Sequence, residues 1–308
     1  MTDLRALLHE YLAVRRAVGY KLARPGRLLP DFIAFLERAD APCITTELAL
    51  AWATRSPQAP RGAPWWPAAR LSAVRGFAAY VRARDPRTEL PPRTLLPSKP
   101  PRRTPYLYTP ADVQALMAAT HTLSPFKGAT YETLLGLLAS TGVRVGEALG
   151  LDQADWNAGA GTLRIRHAKF GKTRLVPLHP TTGAALTAYG RRRHRTFPRP
   201  RSHSLFVSRA GTRLHYKNVH FAFLALLRTA GLADRQPRPR LHDLRHSFAT
   251  HTLLDWYRAG LDVDARLPWL ATYLGHVSPS STYWYLTATP ALVTLAHQRL
   301  ARVLEARS

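Results

Sequence analysis

Residues 241–251 read LHDLRHSFATH. Leu244, Phe248 and Leu253 recur at helical intervals, so this stretch predicts a helix over His242 to Tyr257 with one side turned into a core. His242 and Arg245 stand three residues apart and therefore share another side of it. An imidazole and a guanidinium so placed present several N–H donors to one phosphoryl oxygen. Asp243 points elsewhere, and His246 is the other near neighbour. The stretch gains meaning only in conjunction with its surroundings.

Downstream, residues 273–286 read YLGHVSPSSTYWYL. Gly275 closes a helix and His276 follows at once. Ser278, Pro279, Ser280 and Ser281 form a turn that caps a helix bearing two tyrosines, Tyr283 and Tyr285. A tyrosine is ordinarily a core residue, and pattern alone does not choose between these two. Upstream, Thr162 to Arg166 and Thr173 to Leu178 alternate as strands, with AKFGK turning between them. Lys169 and Lys172 sit at that turn, where a flexible ammonium reaches outward and can donate a proton. Further upstream is TGVRVGEALGL, residues 141–151. Gly142 ends a helix, Arg144 opens the next, and Glu147 lies on the same face as Arg144, placed to buttress it or its helix terminus.

Other helices are expected over Thr109 to Ala119, behind a Thr109 cap, and over Tyr131 to Ser140, Thr181 to Arg193, Lys217 to Ala230 and Pro268 to Leu274. A terminal amphipathic stretch, Leu292 to Leu304, has an apolar side that could pack on its own domain or on a neighbour. The first part of the chain predicts helices over residues 3–20, Asp31 to Ala39, Thr46 to Thr54 and Pro67 to Arg84. Between the last two, SPQAPRGAPWWP reads as loop. PPRTLLPSKPPRRTP, residues 91–105, holds six prolines and four basic residues and predicts an extended linker. The expected organisation is a helical domain over 1–90, a linker over 91–105 and a second domain over 106–308. The expected fold class is mainly α with a small β-hairpin or three-stranded sheet.

The 308 residues carry 44 Lys plus Arg against 19 Asp plus Glu, a formal charge of +25. Up to residue 105 there are 18 basic and 8 acidic residues, and beyond it 26 and 11, so both halves are basic. That pattern fits a clamp around a polyanion better than a basic tail. The single cysteine, Cys43, permits no intrachain disulfide, and a reducing cytoplasm is the expected compartment. The start MTDLRALLHEYLAVRRAVGY is too charged for a signal peptide, and no apolar run approaches the ~18 residues of a membrane span. His242, His246 and His251 are close in sequence, but no carboxylate completes a ligand set, so no metal site is expected. No GxxxxGK[ST] loop is present, which leaves no sign of a nucleotide cofactor.

Taken in order, TGVRVGE, AKFGKTRLVPL, HDLR, LGH and a tyrosine nine residues beyond that His resemble the tyrosine recombinase, or phage integrase, family. The resemblance covers roughly residues 106–290. It implies an integrase-type catalytic domain preceded by a helical core-binding (SAM-like) domain. It further implies strand cleavage and rejoining through a 3′-phosphotyrosyl bond, without metal, ATP or other cofactor. By the same resemblance Arg144 and Arg245 would hold the scissile phosphate, and His242 would assist proton transfer with Tyr285, the nucleophile. His276 would hydrogen-bond the phosphate, and Lys169 would protonate the leaving 5′ oxygen. Alignment of the hairpin favours Lys169, and a one-residue gap shift would favour Lys172. The implied partners are double-stranded DNA recombination sites and three further protomers, in a homo- or hetero-tetramer at the nucleoid. A longer Arg245 to His276 interval than the family's usual one tilts the reading toward a mobile element. The competing readings are a type IB topoisomerase-like enzyme and a non-catalytic accessory member of a recombinase set.

Overall fold

The computed structural model describes residues 3–55, 65–97, 103–166, 173–199, 201–276, 280–286 and 294. The chain divides into two compact units, Met1–Arg103 and Thr104–Ser308.

In the first unit, α1 (Leu4–Ala17) starts where the Asp3 carboxylate accepts from the amides of Arg5 and Ala6. Then come α2 (Pro25–Arg38), α3 (Thr46–Thr54) and α4 (Trp66–Val81). Their apolar sides meet in one core that includes Leu8, Tyr11, Phe32, Ile33, Trp52, Val74 and Phe77. The helix expected from Asp31 in fact begins at Pro25, with Pro30 inside it. An interior proline costs about 3 kcal/mol. Burial of Leu29, Phe32, Ile33 and Leu36 along one continuous stripe offsets that. Residues 91–97, expected as linker, are partly held on this unit. Arg75 donates to the carbonyls of Pro91 and Pro92, and Leu96 packs against the core.

The second unit contains α5 (Pro110–Ala119), α6 (Pro125–Thr141), α7 (Val145–Gly150), β1 (Trp156–Asn157), β2 (Thr162–Ile165) and β3 (Arg174–Pro177). Helices α8 (Pro180–Thr196), α9 (Tyr216–Thr229), α10 (Leu241–Arg258), α11 (Val263–Leu274) and α12 (Ser280–Leu286) follow. The strands form one antiparallel sheet in the order β1-β2-β3, with Leu163 opposite Val176 and Ile165 opposite Arg174. This is the small sheet on a mostly helical chain that the sequence predicts.

Helix α6 begins six residues before the expected Tyr131 and runs through Gly128. A side chain there would press on the Thr120 carbonyl at 2.7 Å, so glycine permits a close approach. Helix α11 likewise begins before Pro268, which it contains, because Val263 and Leu267 extend its buried stripe. The long helix α10 joins two cores. Its Leu241 and Leu244 lie in the main cluster with Leu134, Leu163, Val176, Phe206 and Phe223. Its Ala249 and Leu253 lie in a second cluster with Leu267, Leu274 and Tyr285. Residues between these faces are thereby fixed on a rigid element. No helix among the described residues is long and apolar enough to cross a membrane.

Candidate active site

Two left-handed glycines shape the site. Gly142 (φ +61°) ends α6 and Gly275 (φ +68°) ends α11. Each reverses the chain beside α10, leaving helix-end carbonyls that need donors.

Arg245 supplies them. Its residue is 2% exposed, and it donates to the Gly142 carbonyl at 2.7 Å and the Leu274 carbonyl at 2.8 Å. A third contact runs to Nε2 of His276 at 2.9 Å. Burial, and then the nearby Arg144 charge, push its pKa down to about 10, so it remains protonated at neutral pH.

Arg144 precedes α7. Its guanidinium donates to Glu147 at 2.8 Å and to the Gly275 carbonyl at 3.2 Å, and its amide donates to the same carboxylate at 3.1 Å. Glu147 thus buttresses both the guanidinium and the helix start, the two options open from sequence. Burial alone would raise its pKa, but Arg174 and then Arg144 reverse this and hold it at about 2.

His276 is held near pH 4 by burial first, then by Arg245 and Arg144, so its ring is neutral at pH 7. Its Nδ1 lies 2.7 Å from the Thr282 hydroxyl. His242, one turn before Arg245, is outwardly exposed, with its ring edge-on to His246 at 4.8 Å. The protein crowding its inner edge, and then Arg245, lower its pKa. His246 is less exposed and is held at about 3, by burial first and then His242.

Tyr285 and Tyr283 separate clearly. Tyr283 is 51% exposed, whereas Tyr285 is 3% exposed. The Tyr285 ring stacks on His276 at 5.9 Å and lies 5.4 Å from His246 and 5.5 Å from Trp284. Its hydroxyl is among the groups that favour the Arg245 charge. Five expected residues, Arg144, His242, Arg245, His276 and Tyr285, are therefore brought together. Lys169 and Lys172 lie outside the described residues, as do the turn at 277–279 and nearly all of the terminal stretch. Among the described residues no three His, Cys, Asp or Glu side chains gather as a metal site. His251 instead lines a groove with Tyr108, Met117 and Ser247.

The phage integrase family matches residues 107–291. The chain belongs to that family. The Sinorhizobium fredii protein y4rB, provisionally named an integrase/recombinase, is 47% identical over the whole of both chains. The tyrosine recombinase XerD of Caulobacter vibrioides is 30% identical over 90% of this chain and 88% of its own length. A Tn1549 transposon integrase, solved with transposon right-end DNA, shares the fold. It covers 98% of this chain and 100% of its own, with a TM-score of 0.67 and 16% identity. The integrase fold read from sequence therefore holds for this recombinase.

Sequence reading missed two residues of the site. Thr282 carries no signal by residue type. Arg174 does: it lies two residues before Val176, and alternate strand residues share a face, so a buried Val176 puts Arg174 inward.

Proposed function

We propose that this phage integrase family member cleaves and rejoins double-stranded DNA through a covalent bond to Tyr285. The convergence of Arg144, Arg245 and His276 at two reversed helix ends, with the Tyr285 hydroxyl acting on Arg245 and the Tyr285 ring stacked on His276, carries this reading. A phosphodiester under attack gathers negative charge on its non-bridging oxygens. Fixed donors aimed there are each worth on the order of 3 kcal/mol. Arg144 and Arg245 take that role, joined by His276 once phosphate displaces its contact with Arg245. Tyrosine has an ordinary pKa near about 10 and must lose its proton. His242, neutral and outwardly accessible, is placed to assist.

The Tyr285 oxygen bonds to phosphorus, the bond to the 5′ oxygen breaks, and that oxygen takes a proton from Lys169. The phosphotyrosyl bond conserves the phosphodiester's energy, so a second 5′ hydroxyl reverses the step without ATP. Exchange between two duplexes requires four such cleavages and hence four protomers. The catalytic unit is residues 106–308, and the helical unit with its basic linker clasps the same DNA. The long interval between Arg245 and His276, together with a fold shared with a transposon integrase, supports integration or excision of a mobile element.

A nicked duplex that loses a short 5′ fragment after cleavage traps the covalent species. Wild type should form an adduct on its own site, and Tyr285→Phe should bind equally well and form none. Binding without any wild-type adduct would instead identify an accessory DNA-binding member.

A further inference from the structure

The geometry points to Arg174 as a positioning residue that sets the reach of the hairpin lysine. It rests on the reading that a hairpin lysine protonates the leaving oxygen. Arg174 opens β3, two residues after Lys172 and five after Lys169 in sequence. Its side chain is 11% exposed, while the next residue, Leu175, is 62% exposed. An arginine has thus taken the inner face of the strand and a leucine the outer, against their ordinary preferences.

Three contacts account for the inversion. Arg174 donates to both oxygens of Glu147, at 3.1 and 2.8 Å, and to the Tyr273 carbonyl at 2.9 Å. Its guanidinium also packs against Gly275, where a Cβ would approach it to 2.6 Å. One side chain therefore joins the hairpin stem to the carboxylate that buttresses Arg144 and to the corner that presents His276. The other stem is tied more loosely. Arg166 donates to Asp155 at 2.7 Å and Asp152 at 2.6 Å, but its own side chain is 37% exposed, against 11% for Arg174. The buried Arg174 joint therefore fixes the hairpin relative to the phosphate-binding groups.

A positioning role of this kind acts at one chemical step. When the P–O5′ bond breaks, its electron pair goes to the 5′ oxygen, which must receive the lysine's proton. Replacing that bridging oxygen by sulfur removes the need, because a thiolate leaves unprotonated, its thiol pKa being near about 8.5. Single-turnover adduct formation should be measured on nicked duplexes with a bridging oxygen or a 5′-bridging sulfur, for wild type and the variants Arg174→Ala, Arg174→Lys, Lys169→Ala, Lys172→Ala and Arg245→Lys. With oxygen, Arg174→Ala should be slowed at least tenfold, with DNA affinity changed less than threefold. With sulfur, it should come within about threefold of wild type, as Lys169→Ala should, whereas Arg245→Lys should stay slow.

Equal slowing of Arg174→Ala on both substrates, or none on either, overturns the positioning role. Relief of Arg174→Ala with no slowing of either lysine variant would overturn the lysine assignment instead. If Arg174→Ala does not melt cooperatively, Arg174→Lys carries the test by the same criteria, since it keeps the charge and loses the three-way contact.

Discussion

Arg245 donates to Nε2 of His276 across 2.9 Å, and this single contact fixes where the proton on that imidazole resides. A guanidinium has donors only, so Nε2 must accept. Nδ1 therefore carries the hydrogen and donates it to the Thr282 hydroxyl. The depressed pKa of His276, about 4, agrees with a neutral ring. On the proposed role of His276 as a phosphate donor, the site before DNA arrives holds that donor as an acceptor. A bound phosphate oxygen competes for Arg245, and its negative charge raises the His276 pKa, so both changes favour a proton on Nε2.

Thr282 is 1% exposed, and its hydroxyl is the acceptor for that Nδ1 hydrogen. Thr282→Val keeps the shape and leaves a buried donor unpaired, which costs about 1–3 kcal/mol. We expect a lower melting temperature and adduct formation slowed about tenfold, with Thr282→Ser near wild type. Equal rates for the valine and serine variants would show that the hydroxyl does not orient His276.

Arg245→Lys removes a fork that spans two helix ends and an imidazole. One ammonium cannot reach the Gly142 carbonyl, the Leu274 carbonyl and His276 together. Loss of one preorganised donor lowers a rate roughly 100- to 1,000-fold. Single-turnover cleavage should fall by at least that factor, and thermal stability should fall with it, because two buried carbonyls lose their partner. A variant that cleaves within tenfold of wild type would contradict the assignment.

Much of this was legible in the chain, and the failures have local causes. Helix α3 spans the residues expected, Thr46 to Thr54, because its Thr45 cap and its apolar run agree. Helices α2 and α11 begin earlier than expected because Pro30 and Pro268 read as boundaries, whereas buried residues on both sides of each proline continue one stripe. The family motifs pointed to Arg144, His242, Arg245, His276 and Tyr285 without coordinates, and the structure brings these five together. Residue pattern alone left Tyr283 open, the nine-residue spacing from His276 chose Tyr285, and the structure sets the two apart by burial, 3% against 51% exposed. Arg174 was hidden by its company: among Lys169, Lys172 and Arg166 one more cation looks like a solvated hairpin, and only strand alternation marks it as inward.

Three imidazoles of the site, joined by His251 in its groove, make stability sensitive to acid. His242, His246 and His276 all have folded pKa values below the ordinary 6.5, with His246 at about 3 and His276 at about 4. The unfolded chain therefore binds these protons near pH 6.5 and the folded chain does not. Stability is complete above that value and falls as pH drops through 6.5 toward 4. Glu147, depressed from 4.5 to about 2, begins its own loss only below pH 4.5, so the histidines dominate between 6.5 and 4.5. Melting temperature should fall by several degrees across that window. Nδ1 of His246 is buried without a partner among the described residues. His246→Phe should accordingly flatten the fall and leave stability at pH 8 intact. An unchanged slope would mean that His246 titrates normally.

Gly275 should be irreplaceable for two separable reasons, and a mutant cycle can separate them. Its left-handed backbone (φ +68°) penalises any Cβ by roughly 1–2 kcal/mol. In addition, that Cβ would meet the Arg174 guanidinium at 2.6–3.1 Å and push it from Glu147 and the Tyr273 carbonyl. The first penalty persists in any background, whereas the second vanishes once Arg174 is truncated. Gly275→Ala should therefore cost about 1–3 kcal/mol more in the wild-type background than in Arg174→Ala, a coupling of the size found between touching residues. Chemical denaturation of the four proteins measures it. Strict additivity would mean that the guanidinium yields freely to the new methyl group, and that the close packing of Arg174 on this corner contributes nothing to holding the hairpin.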